Sequence, residues 1–453
     1  MKLLIKGGRV IDPASGRDGV GDIAVVAGRI IAIGSVSADF APNRVINAVG
    51  CIVAPGLVDL AARLGEPGHE HEGMLESELA AAAAGGVTSL VCPPDTDPVL
   101  DEPGLVEMLR LRAERTHRAR VHPLGALTRG LAGTVLTEMV ALTEAGCVGF
   151  SQAEVPLVDT LVLQRALQYA ATFGYRVWLR PVDAYLGRGV AAGGAVATRL
   201  GLSSVPVAAE TIALHTIFEL MRSTGAAVHL CRLSSAAGVA LVRQAKAAGL
   251  PVTCDVSINS LHFTDADIGY FDTRMRVSPP LRQAADRAAL RSALQDGTID
   301  ALVSDHTPVK RDEKRLPFAE AQAGATGLEL LAGAALAWRQ PDLEGAASER
   351  SPDWLRTLAV LTSGPAAVLG SAIGTLAASV GRLVVGGVAD ICLIEPEQSW
   401  QVTPDALRSQ GRHTPFSDQI LPGRVRCTIA GGLLTYEWQP AARQPDAALA
   451  VQS

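Results

Sequence analysis

The sequence predicts an α/β protein: a (β/α)8 barrel carrying a small β domain assembled from both chain ends. Three observations point there. Short Val/Leu-rich runs alternate with Ala/Leu-rich helical runs through the middle of the chain. The strand-like runs are too short and too uniformly apolar to be half exposed, which argues for a parallel sheet with helices on its outer face. Turn-punctuated β texture frames this middle at both ends.

Residues 1–56 read as strands separated by turns: "KLLIKGGRVID", "DIAVVAGRIIAIG" and "RVINAVGCIVAP". From residue 57 the alternation begins, with "GLVDLAA" as strand, "MLESELAAAAAG" as helix and "VTSLVCP" as strand. "VHPLGAL", "LTEMVALTEAG", "CVGFS", "TLVLQRALQYAATFG" and "YRVWLRP" continue it. "AAETIALHTIFELMRSTG", "AVHLCRLS", "AGVALVRQAKAAG", "PVTCDVS" and "IDALVSDHTP" follow. Eight such units over about 300 residues fit a TIM-type barrel. "GRLVVGGVADICLIEP" and "GRVRCTIAGGLLTYE" return to β texture. The expected division is a composite β domain of residues 1–56 and 378–440, a barrel of residues 57–377 and a flexible tail of residues 441–453. Two Gly-bearing loops of mixed charge, 186–204 and 308–324, are expected to flank the barrel mouth and to be mobile or to touch partners.

Composition narrows the function. The chain has 453 residues, 48% of them hydrophobic, and a net charge of -6. There is no basic footprint for nucleic acid and no polybasic patch for a membrane surface. No apolar run reaches the roughly 18 residues that span a bilayer, and the start lacks a signal-peptide pattern. The expected location is the cytoplasm. The 7 cysteines are scattered and form no CxxC pair, as befits reduced core thiols.

A series of phrases carries a resemblance. "GGRVIDP", "APGLVDL", "EPGHEHEG", "AAAAGGVTSLVCPPDTDP" and "GLPVTCDVS" occur in order. "RVSPPLR", "DALVSDHTP", "PFAEAQAGATGLE", "VGGVADICLIEP" and "HTPF" complete it. Together they resemble the dihydroorotases of the cyclic amidohydrolase family over nearly the whole chain. The resemblance implies an amidohydrolase-type barrel with a small β-sandwich domain. In active members, metal ions at the C-terminal mouth activate a water, and an aspartate on the last strand handles the proton.

The resemblance also places the family's site on this chain. Its first-strand histidine pair falls on Ala61 and Arg63; alanine has no lone pair to offer and arginine stays protonated. The bridging carboxylate falls on Ala153 in "GFSQAEV", next to Gln152, with Glu154 one residue out of register. No lysine lies between Lys6 and Lys246 to form a carbamate bridge. The two later histidine positions fall on Arg180 and Arg232, while the last-strand acid remains as Asp305. Substrate positions fall on Gly65, Asp95, Ser278 and Val309. On this reading no metal cofactor is expected, and Asp305 is a remnant of the catalytic aspartate. Arg63, Arg180 and Arg232 are expected to gather around Asp305, because a buried carboxylate must be paired or protonated. Such a cationic pocket would suit an anion. "EPGHEHEG", with Glu66, His69, Glu70 and His71, reads as a helix-capping loop. His306 should point away from the barrel axis, and His229 reads as a satisfied core residue.

Three functions follow from the resemblance. The first is a catalytically inactive dihydroorotase homologue, a pseudoenzyme. It would act as structural and assembly subunit for the aspartate carbamoyltransferase catalytic chain in de novo pyrimidine biosynthesis, as a homo-oligomer. The second is an active dihydroorotase-like cyclic amidohydrolase with an atypical metal site, for which His69, His71 and Glu154 are first in line. The third is a metal-free enzyme that uses Asp305 and the arginines on an anionic ligand.

Overall fold

The computed structural model describes residues 2–339 and 353–438. The barrel strands are Leu57–Asp59, Val87–Cys92, Arg120–Pro123 (continued by Gly125–Ala126) and Phe150–Ser151, then Arg176–Leu179, Ala227–Leu230, Val252–Ser257 and Ala301–Val303. Every pairing between neighbours is parallel. A parallel bridge between Ala62 and His306 closes the ring. Asp59 stitches the same seam: its carboxylate accepts the Ser304 N–H at 3.0 Å and the Ser304 hydroxyl. Burial pushes the Asp59 carboxyl up to about 6, against those hydrogen bonds.

The helices form for local reasons. The helix Thr160–Phe173 opens on Asp159, whose side chain accepts the Leu161 and Val162 N–H groups, and ends at Gly174 in the left-handed region at φ 71°. Its buried face is Leu163, Ala166, Leu167 and Ala170, at helical spacing. With few aromatics to fill space, alanines let helices approach the sheet: Ala81, Ala82 and Ala83 of the helix Leu75–Ala84 are fully buried.

Both chain ends enter one eight-stranded sheet, in which Ile391–Glu395 joins Ile52–Pro55 antiparallel. The long strand Lys2–Asp12 pairs with Arg44–Asn47 over one half and with Ile52–Pro55 over the other, across a bulge between Ile5 and Gly8. The sheet thereby folds into the small sandwich, around Leu3, Ile5, Ile23, Val53, Leu393 and Ile429. The stretch expected to be a frayed tail, 441–453, lies outside the described residues.

Two expectations change. The 186–204 segment is built, with the helix Ala195–Leu200 and a short pair of Ala191–Ala192 with Ser204–Val205. In 308–324, Lys314 is buried and donates to the Thr273 and Arg276 carbonyls at 3.2 and 2.8 Å, and burial pushes its ammonium down to about 7. One stretch among the described residues, Trp354–Ala378, is long and apolar enough to cross a membrane. About half of its most apolar window is buried, and the stretch is broken by non-helical backbone at Thr362 and a positive φ at Gly370.

A buried acidic seam joins the barrel's outer face to 408–410. Glu78 accepts His306 Nε2 at 2.8 Å, the Ser409 hydroxyl at 2.5 Å and the Gln410 N–H at 3.0 Å. His306 thus points outward from the barrel, as alternation predicted. Glu329 accepts the Arg408 N–H at 2.8 Å and the Ser409 N–H at 3.2 Å, and burial pushes its carboxyl from 4.5 up to about 7. A raised folded-state value means its stabilising contribution is complete below 4.5 and lost as pH rises to about 7. Glu329→Gln should therefore gain thermal stability relative to wild type between pH 5 and pH 8. Melting curves that stay parallel across that window would contradict it.

Candidate active site at the barrel mouth

The side chains at the strand ends converge, but on a different hub from the one expected. Glu154 receives Arg63 Nη2 at 3.1 Å together with guanidinium N–H groups of Arg180 and Arg232. Arg232 Nη1 also donates to Asp305 at 3.1 Å and to the Ser278 carbonyl at 3.4 Å. Arg63 donates through Nε and Nη2 to one oxygen of Asp95, at 3.0 and 2.8 Å, and through Nη1 to the Thr307 hydroxyl at 3.1 Å. Asp95, placed by the resemblance at a substrate position, is thus paired with Arg63. The three arginines do gather; Glu154, rather than Asp305, is their shared partner. The reason is local. Ala153 takes a left-handed φ of 50°, which turns the chain and aims Glu154 at the mouth. Ala153 itself packs against Ala126 and Leu131, and Gln152 is held below by the Thr128 hydroxyl and the Leu131 carbonyl.

Electrostatics follow the pairing. Burial opposes ionisation of Glu154, but Arg180, Arg232 and Arg63 outweigh it and hold the carboxyl well below the ordinary range. For Asp305 burial wins, pushing its carboxyl above the ordinary range although Arg232 pulls the other way. These groups line a cavity of about 380 Å³ with His69, Glu72, Asn259, Ser278, Thr307 and Gln322.

The other sequence-derived positions scatter. Ala61 packs against the barrel-interior cluster. Val309 is buried and does not line the cavity. Gly65 has φ 76°, and a Cβ there would stand 2.0 Å from the Gly73 carbonyl oxygen. The "EPGHEHEG" loop has closed over this substrate position. Gly65→Arg should consequently lower the melting temperature by several degrees and recover no substrate grip. A folded Gly65→Arg protein as stable as wild type would contradict this reading of the loop.

A dihydro-orotase-like family model matches residues 50–237. A dihydroorotase-like protein of Pseudomonas aeruginosa is 43% identical over 438 residues, covering 96% of this chain and 100% of that relative. A protein named dihydroorotase from Anaeromyxobacter dehalogenans is 38% identical over 444 residues, covering 97% of this chain and 99% of the relative. The chain belongs to the dihydroorotase family. The solved L-hydantoinase (dihydropyrimidinase) of Arthrobacter aurescens superposes with a TM-score of 0.83 at 24% identity, covering 96% of each chain, and shows the shared barrel-and-sandwich fold.

Family membership corrects two expectations. A chain that is no enzyme, and one without a metal cofactor, were read from the altered strand-end positions. Relatives named dihydroorotase match this chain over nearly its full length. Among the described residues, two groups of potential metal donors also stand away from those positions: His69, His71 and Glu72, and His229, Cys231 and Asp255. Ligands need not come from the strand-end positions that became arginine.

The two groups differ in fitness. His229 is fully buried with both ring nitrogens engaged, Nδ1 by Thr253 at 2.8 Å and Nε2 by Asp255 at 2.9 Å. Asp255 also accepts the Arg232 N–H at 2.7 Å, and burial pushes the Cys231 thiol well above its ordinary value. His229 and Asp255 are thus satisfied by hydrogen bonds and Cys231 is held as a neutral thiol, so the trio does not fit a metal. His69, His71 and Glu72 fit better. They lie on the loop after the first barrel strand, are half-buried to exposed, and two of them line the mouth cavity. Glu72 is oriented by Gln322 Nε2 at 2.8 Å.

Proposed function

We propose that the protein is a dihydroorotase-like cyclic amidohydrolase with an atypical metal site at the rim of the barrel mouth. The observation that carries this reading is that one cavity is lined by the last-strand acid Asp305 and by His69 and Glu72. His69, His71 and Glu72 would hold the metal, which when bound supplies Lewis-acid polarisation or an activated water. The remaining work falls to the chain. Asp305, raised by burial, is suited to take the proton of the water that adds to the amide carbonyl and to hand it to the leaving nitrogen as the C–N bond breaks. Arg63, Arg180 and Arg232 orient a negatively charged cyclic amide, for which dihydroorotate is the substrate suggested by the relatives' name.

The test is a paired one on protein purified without chelators and resupplied with zinc. Metal per chain is measured by mass spectrometry and dihydroorotate hydrolysis by its absorbance. The expected result is a stoichiometric metal and measurable turnover, both lost in a His69→Ala/Glu72→Ala variant. Less than about 0.1 metal per chain with no turnover would overturn the reading.

To the same proposal belong a cytoplasmic location, a homo-oligomeric state and assembly with an aspartate carbamoyltransferase catalytic chain, which rest on the resemblance. Support for an interaction surface comes from a groove beside the mouth. There Val155, Val158, Tyr185 and Ile212 are 44%, 61%, 66% and 46% exposed. Contiguous exposed apolar residues of this kind mark protein contacts.

A further inference from the structure

We propose that Arg63, Arg180 and Arg232 form a receptor for an external oxyanion, a carboxylate or phosphate group, for which Glu154 is a displaceable internal stand-in. This deepens the role given to the same arginines in orienting an anionic substrate, and binding alone tests it, without turnover. Three guanidiniums drawn from three separate strand ends meet on one carboxylate. Guanidinium forks are matched to the paired oxygens of carboxylates and phosphates. The Glu154 side chain is 32% exposed, whereas Arg180 and Arg232 are 13% and 6% exposed. The anion therefore sits on the solvent side and the cations are fixed beneath it.

Charge and geometry agree. With Glu154 turned outward, Arg63 would keep Asp95 and Arg232 would keep Asp305, while Arg180 would be left, among the described residues, without a bonded carboxylate. The shortfall of one negative charge is what an entering oxyanion supplies. Donor capacity is also left over: among the described residues, the buried Arg232 Nε finds no partner. The backbone is held in unusual conformations at the same place. Ala153, Arg232 and Asp305 have φ of 50°, 58° and 51°, a region that non-glycine residues avoid. Such conformations gather where a binding site is held in place by its surroundings. The cavity of about 380 Å³ leaves room for a small ligand above the arginines.

Isothermal titration of the full chain with inorganic phosphate and with succinate tests the receptor. Wild type should bind one equivalent of at least one of them. Arg180→Ala should weaken that binding by about tenfold or more, and Glu154→Gln should tighten it roughly tenfold because the competing internal anion is gone. Preference for phosphate would assign a phosphoryl ligand, and preference for succinate a dicarboxylate. If Glu154→Gln does not fold, melting temperature decides: phosphate or succinate should raise it in wild type and not in Arg180→Ala. No saturable binding at millimolar concentration, or equal affinity in Arg180→Ala, would overturn the proposal. Either result is distinct from failure of the hydrolase reading, because neither ligand is turned over.

Discussion

Arg232→Ala should destabilise the protein by about 3–5 kcal/mol, more than any other single change at the mouth. Arg232 is 6% exposed and is the only one of the three arginines seen to hydrogen-bond both Glu154 and Asp305 among the described residues. Its removal leaves Asp305, itself 5% exposed, without its ion-pair partner in a place where an isolated charge is costly. Asp305 would then have to bind a proton or admit water. Urea unfolding at neutral pH gives the magnitude. A second variant separates pairing from packing: in an Asp305→Asn background the same Arg232→Ala change should cost markedly less, because no buried charge is orphaned. Equal losses in both backgrounds would show that the guanidinium acts through its packing alone.

Asp305→Asn should leave the fold intact and reduce turnover by roughly 10²–10⁴-fold. Asparagine keeps an oxygen for the Arg232 N–H at 3.1 Å but cannot carry the proton. The loss should fall on kcat rather than KM, since Arg63, Arg180 and Arg232 remain to orient the substrate. Unchanged kcat in the variant would remove Asp305 from the chemistry.

Much of the fold was legible in the sequence because its signals are local. Apolar strands of four to six residues followed by alanine-rich helices have few ways to bury both faces of a sheet. The two β-like ends could meet only across the finished barrel, and the Ile391–Glu395 pairing with Ile52–Pro55 does that. The gathering of Arg63, Arg180 and Arg232 was legible for the same reason: strand ends of a closed barrel face one mouth. The centre of the cluster was not. Glu154 is one residue out of register, and only the left-handed backbone at Ala153 brings it inward. Period-two counting cannot foresee such a turn. At the rim, His69 and His71 were legible as the first ligands to consider, whereas Glu72 was not, because a closed loop around Gly65, and no regular spacing, brings it beside them. The seam of Glu78, Glu329, His306 and Ser409 joins residues up to 331 positions apart, and no sequence window contains it.

Anomalous diffraction at the zinc edge, from crystals grown without chelators and soaked in zinc, tests the rim site most directly. One strong peak is expected within bonding distance of His69, His71 and Glu72, with Arg63, Arg180 and Arg232 still gathered beside it. A peak between His229, Cys231 and Asp255, or no peak at the mouth, would contradict it.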